Sequence, residues 1–315
     1  MNLSPIPSTS KTFALLREFI SKINLKAKSP ISCFDLARLE FTYAVSCAMH
    51  QTSPKQWQEL TTLWVDDSGS VQAALVSEGE HQGEAFFLTG LDHVSEDVIN
   101  QVITAGCLKM AQNQEDGTKE LFLRIPTHLK NGSTLLSNQG FSLAPWKESV
   151  AEFPINQSNP AVDRAFNRPN YPPAGYTLLV GNSATPQLKG LCHSLAFGYG
   201  GEQIYEKRIV EGFTKLRTMP GYREDLDLLL LDSSGAPAAM MSFWFDPITK
   251  WGSLEPAGTV PAHRKKGLGQ WLIQEGVRRL KPLGCTSIFC GSDQEFYLAS
   301  GFRVVDSLEV WTKKC

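Results

Sequence analysis

Leu254-Glu-Pro-Ala-Gly-Thr-Val-Pro-Ala-His-Arg-Lys-Lys-Gly-Leu-Gly-Gln-Trp-Leu-Ile273 is the stretch on which the reading of this chain turns. A strand pattern over 251–260 runs into a basic, glycine-containing loop, and a helical pattern follows from 267 to 281. Glycines let backbone come close to a ligand, and the first N–H groups of a helix have no partner within it. The helix dipole favours an anion at that end, and Arg264, Lys265 and Lys266 add positive charge within the same turn. The stretch predicts a phosphate site. A basic run such as residues 263–266 is ordinarily a solvated face, but its place beside Gly267 and Gly269 at a helix start reverses that expectation.

Two other phosphate loops are excluded by the neighbouring residues. A Walker A loop ends in Gly-Lys-Ser/Thr, whereas Gln270 and Trp271 follow Gly269. A dinucleotide fingerprint wants a third small residue where Leu272 stands and comes early in a parallel sheet. Here the loop follows three strands, at 226–232, 238–245 and 251–260. The first two of these are joined by a hairpin turn at residues 233–235.

Arg264-Lys265-Lys266-Gly267-Leu268-Gly269 resembles the pyrophosphate loop, Arg/Gln-x-x-Gly-x-Gly/Ala, of the GCN5-related N-acetyltransferase (GNAT) superfamily. Pro261, three residues before Arg264, is similar to the family's strand-loop-helix text. Downstream, Tyr297 with Gly301-Phe302 resembles the family's Tyr-x-x-x-Gly-Phe element. The two motifs come in the family's order, and the resemblance covers residues 175–315.

The resemblance implies an α+β (mixed α/β) fold, a twisted and mostly antiparallel sheet flanked by helices, with two central strands splayed to admit the pantetheine arm of acetyl-CoA. It implies that Thr259, Val260 and Pro261 line the pantetheine and that residues 264–269, Arg264, Lys265, Lys266, Gly267, Leu268 and Gly269, hold the pyrophosphate. Pro256 suits such a splay, since a proline within a strand is tolerated at an edge or bulge. Tyr297 takes the position of the acid that protonates the coenzyme A sulfur, against the plainer reading of an aromatic core residue. A backbone N–H of 259–260 would polarise the carbonyl. Glu255, an ionisable group between Leu254 and Pro256, is the candidate general base, its alternatives being a substrate-binding carboxylate or a base acting through water. No metal is expected.

Upstream, prolines at 154, 160, 169, 172 and 173 deny helix and sheet hydrogen bonds, so residues 156–174 read as a linker between a domain at 1–155 and one at 175–315. In the second, a strand at 176–181 and helices at 185–197 and 203–217 precede the hairpin. A strand at 285–290, a short helix at 294–300 and closing strands at 302–305 and 308–312 follow the loop. The first half reads as helices at 12–25, 34–49 and 96–112 with strands at 61–65, 71–77, 84–89 and 120–125, nearly the same order. This predicts an internal duplication. Gly140-Phe141 echoes Gly301-Phe302, but Leu136 stands in the tyrosine position and no Arg-x-x-Gly-x-Gly follows residues 84–89. The first half is read as a degenerate copy that lacks the pyrophosphate loop.

The 315 residues, 42% hydrophobic and 20% charged, suit two globular domains, and a net charge of −2 gives no basic excess for nucleic acid or a membrane surface. Seven widely spaced cysteines without a CxxC pair predict reduced thiols and a cytoplasmic setting. The N-terminus does not read as a secretory signal, and no apolar run reaches the about 20 residues of a membrane span. His193 and His263 are read as surface or satisfied core histidines, though His263 can reach a phosphate. The expected function is acetyl transfer from acetyl-CoA to a primary amine of a small molecule or peptide. A non-catalytic coenzyme A sensor is the alternative, and acetylation of a tRNA base is disfavoured by charge.

Overall fold

The computed structural model describes residues 3–7, 9–78, 83–156, 159–168, 171–201 and 203–315. The chain forms two compact units, Met1–Asp35 with Thr52–Val150 and Val305–Cys315, and Leu36–Gln51 with Ala151–Val304. Each is a mixed sheet with helices against it.

In the first unit, Ser4–Pro7, Thr62–Val65, Val71–Ser77 and Glu84–Thr89 pair antiparallel in sequence. Glu84–Thr89 then pairs parallel to Lys119–Arg124, which is followed by the end of the C-terminal strand. Helix Glu96–Lys109 buries Val98, Ile99, Val102 and Ile103 against Trp64, Leu75, Phe87 and Leu123, with Trp311 in the same core. Ser95 caps it by accepting from the Val98 amide, and Glu96 and Asp97 complement the dipole.

In the second unit, Tyr176–Val180, Asp227–Asp232, Pro237–Asp246 and Trp251–Thr259 form an antiparallel run. Trp251–Thr259 pairs parallel to Ser287–Cys290, and that strand pairs antiparallel to residues 151–154. Alternate residues of the two central strands serve opposite faces. Leu228, Leu230, Ala239 and Met241 pack toward helix Leu268–Leu280, and Leu229 and Met240 toward helices Pro186–Phe197 and Gln203–Leu216. Burial on both faces accounts for the unbroken apolar run of Asp227–Asp232, and Asp232 closes the predicted hairpin by accepting from the Ser234 and Ala236 amides. Helical residues 36–49, which include the π-turn Thr42–Ser46, also pack on the second face.

Three expectations change. The stretch read as a linker contains helix Pro160–Asn167, started by Asn159 and by Pro160 at its first position, where the missing N–H costs nothing. Ala161, Val162 and Ala165 of this helix join the core; Pro169 lies outside the described residues. The two closing strands are one, Arg303–Lys314, and residues 305–315 belong to the first unit, so the boundaries 1–155 and 175–315 do not separate the compact bodies. Cys107 and Cys315 form a disulfide, with five buried free cysteines beside it among the described residues. Pairing of Lys119–Arg124 with the end of Arg303–Lys314 brings Cys315 to helix Glu96–Lys109, a contact that a sequence separation of 208 conceals. No helix of the described residues is long and apolar enough to cross a membrane.

Candidate active site

The strand before the loop and the strand after it part company at a defined point. Pairing of Trp251–Thr259 with Ser287–Cys290 ends at Ser253↔Phe289, and the first strand continues to Thr259. Between Met241 and Phe243 its register with the neighbouring strand shifts at Glu255-Pro256, where the peptide bond is cis and Trp244 Nε1 donates to the Glu255 carbonyl at 2.7 Å. A cavity of about 820 Å³ lies in the opening, walled by Met241, Ala257, Gly258 and Thr259 on one side and by Phe296 and Tyr297 on the other. The loop and helix start, Arg264, Lys265 and residues 267–270, form its end.

That end presents open backbone amides. Gly267, in the left-handed region at φ 77°, precedes helix Leu268–Leu280 with no side-chain cap, and the amides of Leu268, Gly269 and Gln270 have no acceptor among the described residues. A Cβ on Gly267 would meet nothing within 4 Å. Gly269 has a different reason to be glycine: a Cβ there would stand 2.8 Å from Cζ of Phe296. Far along the same helix, buried Glu275 accepts from Arg168, Arg278 and Arg279, and the Arg168 guanidinium lies 4.3 Å from the Trp271 ring. These contacts fix the helix axis, and with it the direction of the open amides.

The sequence-predicted residues divide. Thr259, Arg264, Lys265, Gly267, Leu268, Gly269 and Tyr297 line the cavity; Val260, Pro261, Lys266 and Glu255 do not. The Val260 amide donates to Ala238 O at 2.9 Å and Pro261 starts a short 3-10 turn, so neither offers an N–H. Successive N–H groups of a strand point to opposite edges, so the Thr259 amide faces the splayed side. Arg264 is committed to structure: Nε donates to Thr259 O at 3.1 Å and Nη2 to Ala196 O at 3.0 Å. Lys265, exposed and at φ 60°, stands beside it at the cavity end with no such structural contact. Replacing Arg264 by Gln should therefore lower thermal stability by about 1 kcal/mol, the worth of part-exposed hydrogen bonds. Lys265→Ala should leave the melting temperature alone and weaken binding of a phosphorylated ligand. Calorimetry of both variants checks the division, and equal melting temperatures would contradict it.

Tyr297 is half-buried, edge-on to Phe296 at 5.0 Å and to Phe302 at 5.6 Å between ring centroids. Burial, then the neighbouring Cys290 and Glu255, push its pKa above the ordinary tyrosine value, so the hydroxyl holds its proton through neutral pH. Glu255 is near enough to act on Tyr297 electrostatically, but among the described residues no carboxylate lines the cavity. Among the described residues no group of three or more His, Cys, Asp or Glu side chains is placed to hold a metal.

Two contributors, Phe197 and Met241, were not singled out from sequence, and His263, read there as able to reach a phosphate, joins them. Phe197 and Met241 wall the cavity, and His263 lines it with Nδ1 3.0 Å from the Tyr176 hydroxyl and Nε2 3.6 Å from Asp232. His193 stacks on Phe197 with centroids 4.5 Å apart. Burial and then Lys189 lower its pKa to about 4. An unfolded histidine titrates near 6.5, so the unfolded chain binds the extra proton first. Stability is lost as pH falls from about 6.5 through about 4, by roughly 3 kcal/mol for this residue. His193→Phe should flatten the fall in melting temperature across that window; an unchanged slope would assign acid sensitivity elsewhere.

Residues 202–302 match the model of the Acetyltransferase (GNAT) family. Among solved structures, 99% of this chain aligns with 95% of a GCN5-related N-acetyltransferase from Sphaerobacter thermophilus, at 14% identity and a TM-score of 0.58. It aligns over 99% of its length with 98% of a tandem GNAT protein from the clavulanic acid biosynthesis pathway, at 13% identity and a TM-score of 0.59. Likeness at such identities concerns the fold. No curated protein matches the sequence.

Proposed function

We propose that this chain, a GNAT-superfamily protein in tandem arrangement, transfers an acetyl group from acetyl-CoA directly to a primary amine of a small molecule or peptide. The observation that carries the reading is the uncapped start of helix Leu268–Leu280 opening into the splayed cavity. The amides of Leu268, Gly269 and Gln270, with Lys265 beside them, would hold the diphosphate. Met241, Ala257 and Thr259 would flank the pantetheine arm and limit water at its end. Acetyl-CoA supplies, when bound, an activated thioester with a thiolate leaving group. The Thr259 N–H would stabilise negative charge on the carbonyl oxygen, and Tyr297 would give its proton to the departing sulfur. The amine proton would leave to solvent, with Glu255 as acceptor through water.

One observation favours a second reading, a non-catalytic coenzyme A sensor: among the described residues the lining carries no carboxylate to deprotonate an ammonium substrate. Release of coenzyme A thiol from acetyl-CoA, followed with a thiol reagent across a panel of polyamines, amino sugars, amino acids and peptides, separates the two. Amine-dependent release supports transfer. Tight acetyl-CoA binding without release from any amine supports the sensor.

A further inference from the structure

The first unit repeats the splay without the open amides. Glu84–Thr89 pairs with Lys119–Arg124 only from Glu84↔Phe122 to Phe86↔Arg124, then runs on to Thr89. Across that edge the Phe122 amide donates to Gly83 O at 2.7 Å. Backbone groups alternate between the two edges of a strand, so those of Ala85, Phe87 and Thr89 face the same way as Gly83. Phe87 is therefore the first residue to face the opening. In the second unit the corresponding place, at Thr259, fronts a cavity of about 820 Å³. In the first unit the chain itself takes the place: Ser32 Oγ donates to Phe87 O at 2.9 Å.

The segment around Ser32 is held in that position. Ile31, Ser32, Cys33 and Phe34 are all buried, and the Phe34 ring lies 5.1 Å from that of Phe86, where strand pairing ends. Lys28, Ser32 and Cys33 are in the left-handed region, which is costly for residues other than glycine. Such a shape persists where surrounding contacts enforce it. Buried Asn24 supplies two, accepting from the Ile31 amide at 2.8 Å and donating to Phe34 O at 2.9 Å. Past the strand end, Lys26 Nζ takes the Gly90 carbonyl at 3.0 Å. What is left of the opening is a cavity of about 230 Å³, with Ser29, Pro30, Ile31 and Ser32 in its wall. The helix that follows is closed to an anion: the Ser95 side chain caps it, Glu96 and Asp97 occupy its first turn, and residues 90–95 contain no lysine or arginine.

We infer that residues 31–34 are a built-in plug, an internal ligand that holds the free edge of the first unit's splayed strand as a bound molecule would hold it in the second. The plug closes the first unit to coenzyme A, so that the chain carries one coenzyme site. The plug itself is independent of the acyl-transfer reading, and only the count of one site rests on it.

Hydrogen exchange of the full chain, read by mass spectrometry on peptides covering residues 29–35 and 265–270, tests whether the plug is seated. The amides of Ile31, Cys33 and Phe34 donate to Asn24 Oδ1, Pro30 O and Ile31 O. In the ligand-free chain they should exchange at least about a hundredfold more slowly than in an unstructured peptide. Saturating coenzyme A should leave that rate unchanged and slow the 265–270 peptide. Asn24→Ala should speed exchange over 29–35 by at least about tenfold, the loss of its two hydrogen bonds. Should that variant fail to fold, the rates of the native chain decide. Calorimetric titration with coenzyme A should give one site per chain, and Gly267→Glu should uncover no second one. Exchange over 29–35 at unstructured rates, slowing there when coenzyme A is added, or two sites per chain would overturn the proposal. A protected 29–35 in a chain that binds no coenzyme A would sink the coenzyme reading and keep the plug.

Discussion

Gly267→Glu is expected to weaken acetyl-CoA binding by at least about a hundredfold in a chain that remains folded. The backbone there is left-handed, at φ 77°, a conformation that costs a non-glycine residue about 1–2 kcal/mol. The new side chain would start in open space, since a Cβ at this position has no neighbour within 4 Å. It would instead place a carboxylate beside the amides of Leu268, Gly269 and Gln270, competing for them and repelling a diphosphate. Losing two hydrogen bonds to a charged group, each worth about 1.5–3 kcal/mol, amounts to a factor of a hundred or more. Gly267→Asn is the control, because asparagine tolerates the left-handed region and adds no charge. It should keep most of the affinity. Gly269→Glu answers a different question, as its side chain would first displace Phe296.

The second large effect concerns turnover. Tyr297→Phe should lower kcat by about a hundredfold, the lower range for losing a general acid, with the dissociation constant of acetyl-CoA unchanged. The ring would keep its edge-on contacts with Phe296 and Phe302, so the loss isolates the hydroxyl. Because burial raises the Tyr297 pKa above 10.0, deprotonation of this group should not cut the rate of the wild-type chain below about pH 10. A rate that halves well below that pH, or equal turnover in the phenylalanine variant, would remove Tyr297 as the acid. Glu255→Gln should have a smaller effect, given a carboxylate outside the cavity lining.

The local structure of the loop was legible because its determinants are local. Glycine at 267, the basic residues before it and the helix after it are neighbours in sequence, and an uncapped helix start needs nothing else. The strand order of the second unit was legible for the same reason, through the hairpin at Asp232 and the apolar run of Asp227–Asp232. What escaped depends on contacts distant in sequence. Arg264 reads as a phosphate ligand, and sequence gives no sign that Ala196 O and Thr259 O take two of its N–H groups. Gly269 reads as room for phosphate until Phe296 fills that room. Pro160 looked like a breaker and starts a helix, because the sign of a proline depends on whether an N–H is needed there. The exchange of residues 36–51 and 305–315 between the compact units follows from strand and helix docking that no local pattern carries.

The central claim is that the first amides of helix Leu268–Leu280 receive the diphosphate of coenzyme A. Its most direct test is an amide NMR titration of the chain labelled with ¹⁵N at leucine, glycine and glutamine. On addition of coenzyme A the signals of Leu268, Gly269 and Gln270 should move downfield, the mark of new hydrogen bonds to an anion, and 3′-dephospho-coenzyme A, which keeps the diphosphate, should move them equally. Saturating coenzyme A that leaves those three signals in place would contradict the account, whether or not signals move elsewhere.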